Sequence, residues 1–214
     1  MHAFVANAAA ILGLRAGNYD WEIKNMSNEI WVVRHAQSVA NRGDVSTTLH
    51  SDIPLSPDGA NAAVAFADAF DRRPDLIIVS PYLRTRQTAA PFIAKYSDVP
   101  VEFWPIQEFN YLDNQKCLGK TIDERRAMRN AFMVRGDADW RDGDDTETFN
   151  EMVGRAHAFI ERLRGRDERF IVAFSHGLFI RTLATILDGD TPTIEYILQP
   201  DSEIPNLNIF KFSL

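Results

Sequence analysis

Short runs of apolar residues alternate with longer amphipathic stretches from Glu29 onward. A short run of β-branched or aromatic residues, apolar at nearly every position, is typical of a strand buried on both faces of a sheet. Four runs of this kind predict strands: Ile30 to Val33, Leu76 to Ser80, Val101 to Trp104 and Phe170 to Ser175. A fifth, alternating run from Asn208 to Phe212 follows Pro205 and predicts a strand at an edge of the sheet.

The stretches between these runs carry helix signals. Ser56 followed by Pro57 is typical of an N-cap and first helical position, and predicts a helix running to about Arg72. The segment from Thr148 to Glu151 has the form of a capping box and precedes an amphipathic helix. Two more helices are predicted, from Arg84 to Tyr96 and from Leu178 to Leu187. The alternation predicts an α/β fold, a three-layer sandwich whose mostly parallel central sheet is flanked by helices, with the fifth strand as a candidate antiparallel edge.

Composition limits the classes of function. The formal net charge of −7 gives no global field that would attract nucleic acid or an anionic membrane. An anionic ligand must therefore be bound by a local cluster of positive charge. Cys117 is the only cysteine, which excludes a disulfide framework and a zinc cluster built from cysteines.

The N-terminal segment is apolar but short. The stretch from Ala3 to Leu14 is interrupted by Asn7 and falls well below the roughly 20 residues of a membrane span. The first basic residue after Met1 is Arg15, behind this stretch, whereas a secretory signal carries its positive charge in front. We therefore expect a cytoplasmic protein in which residues 1–29 are an extension of unknown role.

Charged side chains follow the predicted strands at the point where each strand ends. Ligands of open α/β sheets bind beyond the carboxyl ends of the strands, so these residues are candidates for a site. The residues are Arg34 with His35, then Arg84, then Glu108, then His176 with Gly177. If the strands are parallel neighbours, two arginines, two histidines and one carboxylic acid converge on one crevice, a set that suits a phosphoryl group.

Each of these residue types has a defined use at a phosphoryl group. The guanidinium groups of Arg34 and Arg84 can hold phosphate oxygens bidentately. A neutral histidine can attack phosphorus, and we assign this role to His35. His176 lies at the start of a predicted helix, where it and the backbone N–H groups are expected to donate to the phosphoryl oxygens. Glu108 is expected to protonate the leaving alkoxide, which requires a raised carboxyl pKa.

The sequence around these positions resembles a known family. The stretch from Val33 to Asn41 is similar to the Arg-His-Gly signature of the histidine phosphatase superfamily, which includes cofactor-dependent phosphoglycerate mutases and broad-specificity phosphatases. Further blocks follow in the family's order: Asp52 to Ser56 with Gly59, Ser80 to Ala89, Glu147 and Thr148 ahead of Arg155, and Ser175 to Gly177. Ala36 replaces the usual glycine and Gln37 a frequent glutamate, so any role of a carboxylate there is absent, while no charge is lost from the phosphate pocket.

The resemblance covers everything after residue 29 and implies that residues 30–214 form a phosphoglycerate mutase-like histidine phosphatase domain. It implies the roles already given for Arg34, His35, Arg84, Glu108 and His176, and it adds Asn41 as a phosphate contact. The implied activity is that of a phosphoric monoester hydrolase of the histidine acid phosphatase type, in the broad-specificity phosphatase branch. Such an enzyme acts on small phosphorylated metabolites through a phosphohistidine, with no metal or other cofactor and no nucleic-acid or membrane partner. A homodimer is compatible with these features, although none of them indicates an oligomeric state.

Two other functions remain open from the sequence. A mutase-type phosphotransferase would use the same site, but mutases of the family are longer and carry a more basic lid, whereas Asp113, Asp123 and Glu124 are mixed with the basic residues here. A phosphate-binding module without catalysis would lack a catalytic residue, and none of the best-matched positions lacks one.

Several residues near the predicted site keep two interpretations. His50 could line the crevice or point to water, and Glu147 could favour its helix electrostatically or touch the catalytic region. The basic residues after Glu108 could bind a second acidic group of the substrate or be ordinary surface charge. These are Lys116, Lys120, Arg125 and Arg126. Arg86 is expected on the exposed face of its helix.

Overall fold

The computed structural model describes residues 28–43, 45, 47–199 and 204–214, so the extension lies outside the described residues except for Asn28 and Glu29. The strands are β1 (Glu29–Arg34), β2 (Leu76–Val79), β3 (Val101–Phe103), β4 (Phe170–Ser175) and β5 (Ile209–Ser213). They form one sheet in the order β3-β2-β4-β1-β5. All neighbours are parallel except β5, which runs antiparallel to β1. The mostly parallel sheet with an antiparallel edge is therefore confirmed.

Helices cover both faces of the sheet. They are α1 (Pro57–Ala69), α2 (Leu83–Lys95), α3 (Asn114–Cys117), α4 (Ile122–Arg135), α5 (Phe149–Arg164), α6 (Gly177–Leu187) and α7 (Ile194–Leu198), with a 3-10 turn at His50–Asp52. Helices α1 and α2 share one core cluster with the sheet, and α5 and α6 share another, which confirms the three-layer sandwich. In the described part of the chain, no helix combines the length and apolar character needed to cross a bilayer.

Strand β2 shows how one apolar run serves two cores. Leu76 and Ile78 pack toward α5 and α6, whereas Ile77 and Val79 pack toward α1 and α2. The split follows from the two-residue period of a strand, which points alternate side chains to opposite faces. All four side chains are fully buried, as expected for a run that is apolar at every position.

The expectation of full burial is wrong for the run at β3. Val101 and Glu102 are only half-buried, and Phe103 keeps 61% of its surface exposed. The reason is position, because β3 pairs with β2 alone and forms one edge of the sheet.

Helix starts agree with the predicted caps. The Ser56 hydroxyl accepts from the Gly59 N–H at 3.0 Å, and the Thr148 hydroxyl accepts from the Glu151 N–H at 3.1 Å while the Glu151 carboxylate accepts in return from the Thr148 N–H. The first predicted helix ends at Ala69 instead of Arg72. Helices α3, α4 and α7 have no counterpart among the predicted elements.

Gly59 lies directly against the chain that leaves β1. A Cβ at this position would stand 2.0 Å from the carbonyl oxygen of Gln37, a backbone atom that also accepts from the Ser56 N–H.

Because this obstacle is a backbone atom, we expect Gly59→Ala to lower the free energy of unfolding by about 2 kcal/mol or more. Gly154→Ala is the matched control, since its Cβ would meet open space in the interior of α5 and should stabilise by about 0.5–1 kcal/mol. Thermal unfolding of the two variants measures both changes in stability. Equal melting temperatures would contradict the close approach of Gly59 to the Gln37 carbonyl.

Candidate active site

The register of β1 against β4 sets the two predicted histidines side by side. Arg34 pairs with Ser175 at the carboxyl ends of these strands, and the His35 N–H donates to the Ser175 carbonyl at 3.0 Å. The next residues along the two strands, His35 and His176, have ring centroids 5.1 Å apart. Both rings are almost completely enclosed, with exposures of 3% and 0%. The convergence predicted from strand order is therefore present for the histidine pair.

The hydrogen bonds of His35 define its tautomer. Its Nδ1 lies 2.7 Å from the carbonyl oxygen of Ala36, which can only accept, so Nδ1 carries the proton. Nε2 then holds the lone pair, and it accepts from Nε of Arg84 at 3.2 Å. Burial, and after it the charge of Arg84, lower the pKa of His35 well below its usual value. The ring is neutral and presents its nucleophilic nitrogen to a cationic neighbour.

Arg84 is held on several sides. It is 3% exposed, and its guanidinium donates to the His50 carbonyl at 2.7 Å and to Nε2 of His50 at 3.2 Å. The Nδ1–H of His50 in turn donates a hydrogen bond to the Asn110 side-chain oxygen at 3.3 Å. Burial lowers the pKa of Arg84 to about 10 and that of His50 to about 3, so the arginine stays charged and the histidine neutral. His50 thus lines the crevice and orients Arg84, which decides between its two interpretations.

His176 lies next to His35 but is not among the residues that line the cavity, unlike His35. Its Nε2 is 2.8 Å from the Ser80 hydroxyl, while in the described part of the chain its buried Nδ1 has no hydrogen-bond partner. Burial, followed by the charge of Arg84, lowers the pKa of His176 well below its usual value. Ser80 is absent from the residues predicted for the site, although it ends the second predicted strand and begins one of the family blocks.

Arg34 and Asn41 lie on the wall of the same cavity. Arg34 donates to the Ile204 carbonyl, and its side chain lies close to Gly177 at the start of α6, 3.4 Å from where a Cβ would stand. Asn41 accepts through its side-chain oxygen from the Ser38 N–H at 3.1 Å and the Ser38 hydroxyl at 2.9 Å. These contacts orient the amide with its oxygen toward Ser38, so that its NH₂ group can donate to a further acceptor. This orientation is the one expected of an anion contact.

Glu108 also lines the cavity. Its Oε1 accepts from the N–H groups of Phe109 at 3.2 Å and Leu178 at 3.1 Å. Burial raises the pKa of Glu108 above its usual value, although the charges of Arg84 and Arg34 act in the opposite direction. The sequence predicts that the N–H groups at the start of α6 point to the phosphoryl group. In the structure the Leu178 N–H donates to the Glu108 carboxylate instead.

A half-buried ion pair holds the loop that carries Glu108. The Glu147 carboxylate accepts hydrogen bonds from Nε and Nη2 of Arg155, at 2.8 and 2.6 Å, and from the Asn110 N–H at 3.2 Å. Arg155 donates in addition to the carbonyls of Pro105 and Gln107. Glu147 therefore touches the loop at the cavity, the second of its two interpretations, and it links α5 to the segment on both sides of Glu108.

The cavity at this edge of the sheet has a volume of about 410 Å³, within the range of roughly 300–1,000 Å³ that small-molecule sites occupy. The basic residues after Glu108 divide into two groups. Lys116 pairs with Asp142 and Lys120 with Glu124, both as surface ion pairs away from the cavity. Arg125 and Arg126 line the cavity, and so does Arg129, which the sequence analysis does not single out. Arg86 is exposed, as predicted.

Metal-ligating side chains do not gather in the described residues: no group of three or more histidine, cysteine or acidic side chains is placed to hold an ion there. The chemistry available at the cavity is that of a neutral imidazole nitrogen, guanidinium groups and one carboxyl group with a raised pKa.

Comparison with known proteins places this arrangement in context. Residues 30–204 match the model of the histidine phosphatase superfamily, branch 1. The chain is similar to sedoheptulose 1,7-bisphosphatase of Saccharomyces cerevisiae, with 29% identity over 74% of this chain and 66% of the yeast protein. The match thus spans slightly less than two thirds of that relative.

Solved structures share the fold. A mycobacterial glucosyl-3-phosphoglycerate phosphatase superposes with a TM-score of 0.66, at 22% identity over 87% of this chain and 90% of the other. An alpha-ribazole phosphatase of Shigella flexneri superposes with a TM-score of 0.67, at 20% identity over 86% of this chain and 89% of the other. Identities this low show a common fold.

Proposed function

The chain belongs to the histidine phosphatase superfamily, and on that premise we propose that it hydrolyses phosphate monoesters of small metabolites through a phosphohistidine at His35. One observation carries the proposal. The His35 proton is fixed on Nδ1 by the Ala36 carbonyl, and Nε2, with its lone pair, faces the guanidinium of Arg84 at the wall of the cavity. A nucleophile in this state needs no base to activate it.

In the first half of the reaction, Arg34, Arg84 and the Asn41 amide hold the phosphoryl oxygens. His35 Nε2 attacks phosphorus in line, the bond from phosphorus to the ester oxygen breaks, and Glu108 transfers its proton to the departing alkoxide. The proposed hydrogen bond from His176 to a phosphoryl oxygen requires its ring to turn from the Ser80 hydroxyl toward the cavity, because the ring does not line the cavity in this structure. The products of this half are a free alcohol, a phosphohistidine and an ionised Glu108.

In the second half, Glu108 takes a proton from water as the water oxygen attacks the phosphohistidine. The bond between phosphorus and Nε2 breaks, inorganic phosphate leaves, and both His35 and Glu108 return to their starting states. One carboxyl group thus acts as acid and then as base, which requires a pKa near the working pH. Burial of Glu108 supports this role.

The relatives support hydrolysis over phosphoryl transfer, since those compared above are named as phosphatases. The test is release of inorganic phosphate from p-nitrophenyl phosphate and a panel of phosphorylated metabolites in the presence of EDTA. Release that persists in EDTA supports a metal-independent phosphatase. Interconversion of 2- and 3-phosphoglycerate with a bisphosphate primer, faster than phosphate release, would instead make the protein a mutase.

We expect the pH profile of kcat/KM to be bell-shaped with its optimum on the acidic side. Activity requires protonated Glu108, whose pKa is raised, so activity falls as pH rises through that pKa. It also requires neutral His35, whose pKa is lowered, so the acid limb lies well below the usual histidine range. Initial rates on an alkyl phosphate between about pH 3 and pH 9 measure both limbs; a flat profile contradicts the pairing of roles.

A further inference from the structure

Two arginines of α4 line the catalytic cavity and form no ion pair with any described residue. Arg125 and Arg129 lie one helical turn apart and both line the cavity. The Nε atom of each is buried and has no hydrogen-bond partner in the described part of the chain. Within the same residues, neither guanidinium forms an ion pair, whereas their neighbour Arg126 pairs with Asp123 at 2.7 Å.

Three side chains on which the two arginines act are neutral, and the carboxylates near Cys117 are bound elsewhere: Asp113 accepts from the Gln115 N–H, Asp142 pairs with Lys116 and Asp145 accepts from the Asn114 amide. Arg125 acts electrostatically on His50, Cys117 and Tyr111, and Arg129 acts on Tyr111. Burial lowers the pKa of His50 to about 3 and raises the pKa values of Cys117 and Tyr111, so all three are uncharged near neutral pH. The acidic residues at the start of α4 form ion pairs with other side chains, Asp123 with Arg126 and Glu124 with Lys120.

A buried guanidinium nitrogen without a hydrogen-bond partner is costly, because its desolvation is not offset. Two of them on one wall cost more, since like charges repel. The missing partner is an oxyanion, which guanidinium groups bind bidentately. Both subsites lie in the same cavity, and His50, which contacts Arg84 and is affected by the charge of Arg125, lines it as well.

We propose that Arg125 and Arg129 form a second oxyanion subsite in the catalytic cavity, and that the substrate is a small phosphate ester carrying another acidic group, a carboxylate or a second phosphoryl group. The proposal rests on the phosphatase function proposed above. One molecule reaches both subsites, because the residues of both line a single cavity of about 410 Å³. Specificity then resides in α4, apart from the sheet edge that carries the chemistry.

Matched substrates test the subsite. Fructose 1,6-bisphosphate is compared with fructose 1-phosphate, and 3-phosphoglycerate with glycerol 3-phosphate, so that each pair differs only in the second acidic group. We expect the wild-type protein to favour the doubly acidic member of at least one pair by about 10-fold or more in kcat/KM, and the pair that shows this identifies the group as phosphoryl or carboxylate. In the double variant Arg125→Gln/Arg129→Gln that ratio should fall to about 1, mainly through KM.

Lys116→Gln/Lys120→Gln is the charge-matched control, because both lysines lie in the same segment but outside the cavity and should leave the ratio unchanged. A wild-type ratio near 1 for both pairs overturns the subsite, and so does a double variant that loses activity equally on both members of a pair. If no substrate is hydrolysed, the phosphatase function fails separately. Calorimetric affinities of His35→Ala for the same four compounds, with and without the arginine substitutions, then decide the subsite by the same ratio.

Discussion

His35→Ala is expected to lower kcat for phosphate release by about 10⁴-fold or more, because it removes the proposed nucleophile beside Arg84. The neighbouring ring of His176 cannot substitute, since it is fully buried, does not line the cavity and has its Nε2 at the Ser80 hydroxyl. Initial rates with p-nitrophenyl phosphate measure the loss.

His157→Ala is the control for His35→Ala, because His157 is exposed on α5 and should leave both the rate and the melting temperature unchanged. A second readout separates the nucleophile from a structural residue. Rapid quenching of the wild-type protein with labelled substrate should trap an enzyme-bound phosphoryl group that is stable in alkali and lost in acid, as a phosphorus–nitrogen bond is, and the variant should trap none. Full activity of His35→Ala would remove the mechanism altogether.

Glu108→Gln is expected to lower kcat/KM for an alkyl phosphate by about 10²- to 10³-fold, the usual range for losing a general acid. The loss should be much smaller for p-nitrophenyl phosphate, because p-nitrophenolate departs without being protonated. The amide can still accept from the Leu178 N–H, so the local structure should remain. In kcat/KM only the steps up to phosphoryl transfer count, which isolates the acid role from the later base role.

A control variant and the pH profile both test whether the effect of Glu108→Gln comes from the loss of proton transfer. Glu161→Gln removes a carboxylate that is exposed and paired with Arg164 on α5, and it should change neither substrate. The alkaline limb of the pH profile should also disappear in Glu108→Gln, since the amide does not titrate. Equal losses on both substrates would mean that Glu108 supports the site without transferring a proton.

The central sheet and its catalytic edge follow closely from the sequence. Runs such as Leu76 to Val79 are apolar at each position, so both faces must be covered and the strand must be central. Because the carboxyl ends of parallel strands meet at one edge, the order of residues then determines that Arg34, His35 and His176 converge. Local patterns suffice here because the strands themselves position the side chains.

The wall opposite the sheet could not be predicted in the same way. Helix α4 is polar over most of its length, so no apolar period marks it, although Thr121 and Glu124 form a capping box and Gly136 ends it in the left-handed region. Arg125 and Arg129 become meaningful only once the helix is placed over the cavity. The exposure of Phe103 depends likewise on which strand lies at the edge, information that a run of three residues does not contain.

The enclosed cluster of Arg84, His35 and His176 also has a consequence for folding. Burial lowers the pKa of Arg84 to about 10 and keeps both histidines neutral, so these side chains are less favourably solvated in the folded chain than in the unfolded one. A bound phosphate supplies the missing negative charge and binds the folded state alone. Under the proposed function, the residues that would bind the phosphoryl group thus lower the stability of the folded chain as long as no phosphate is bound.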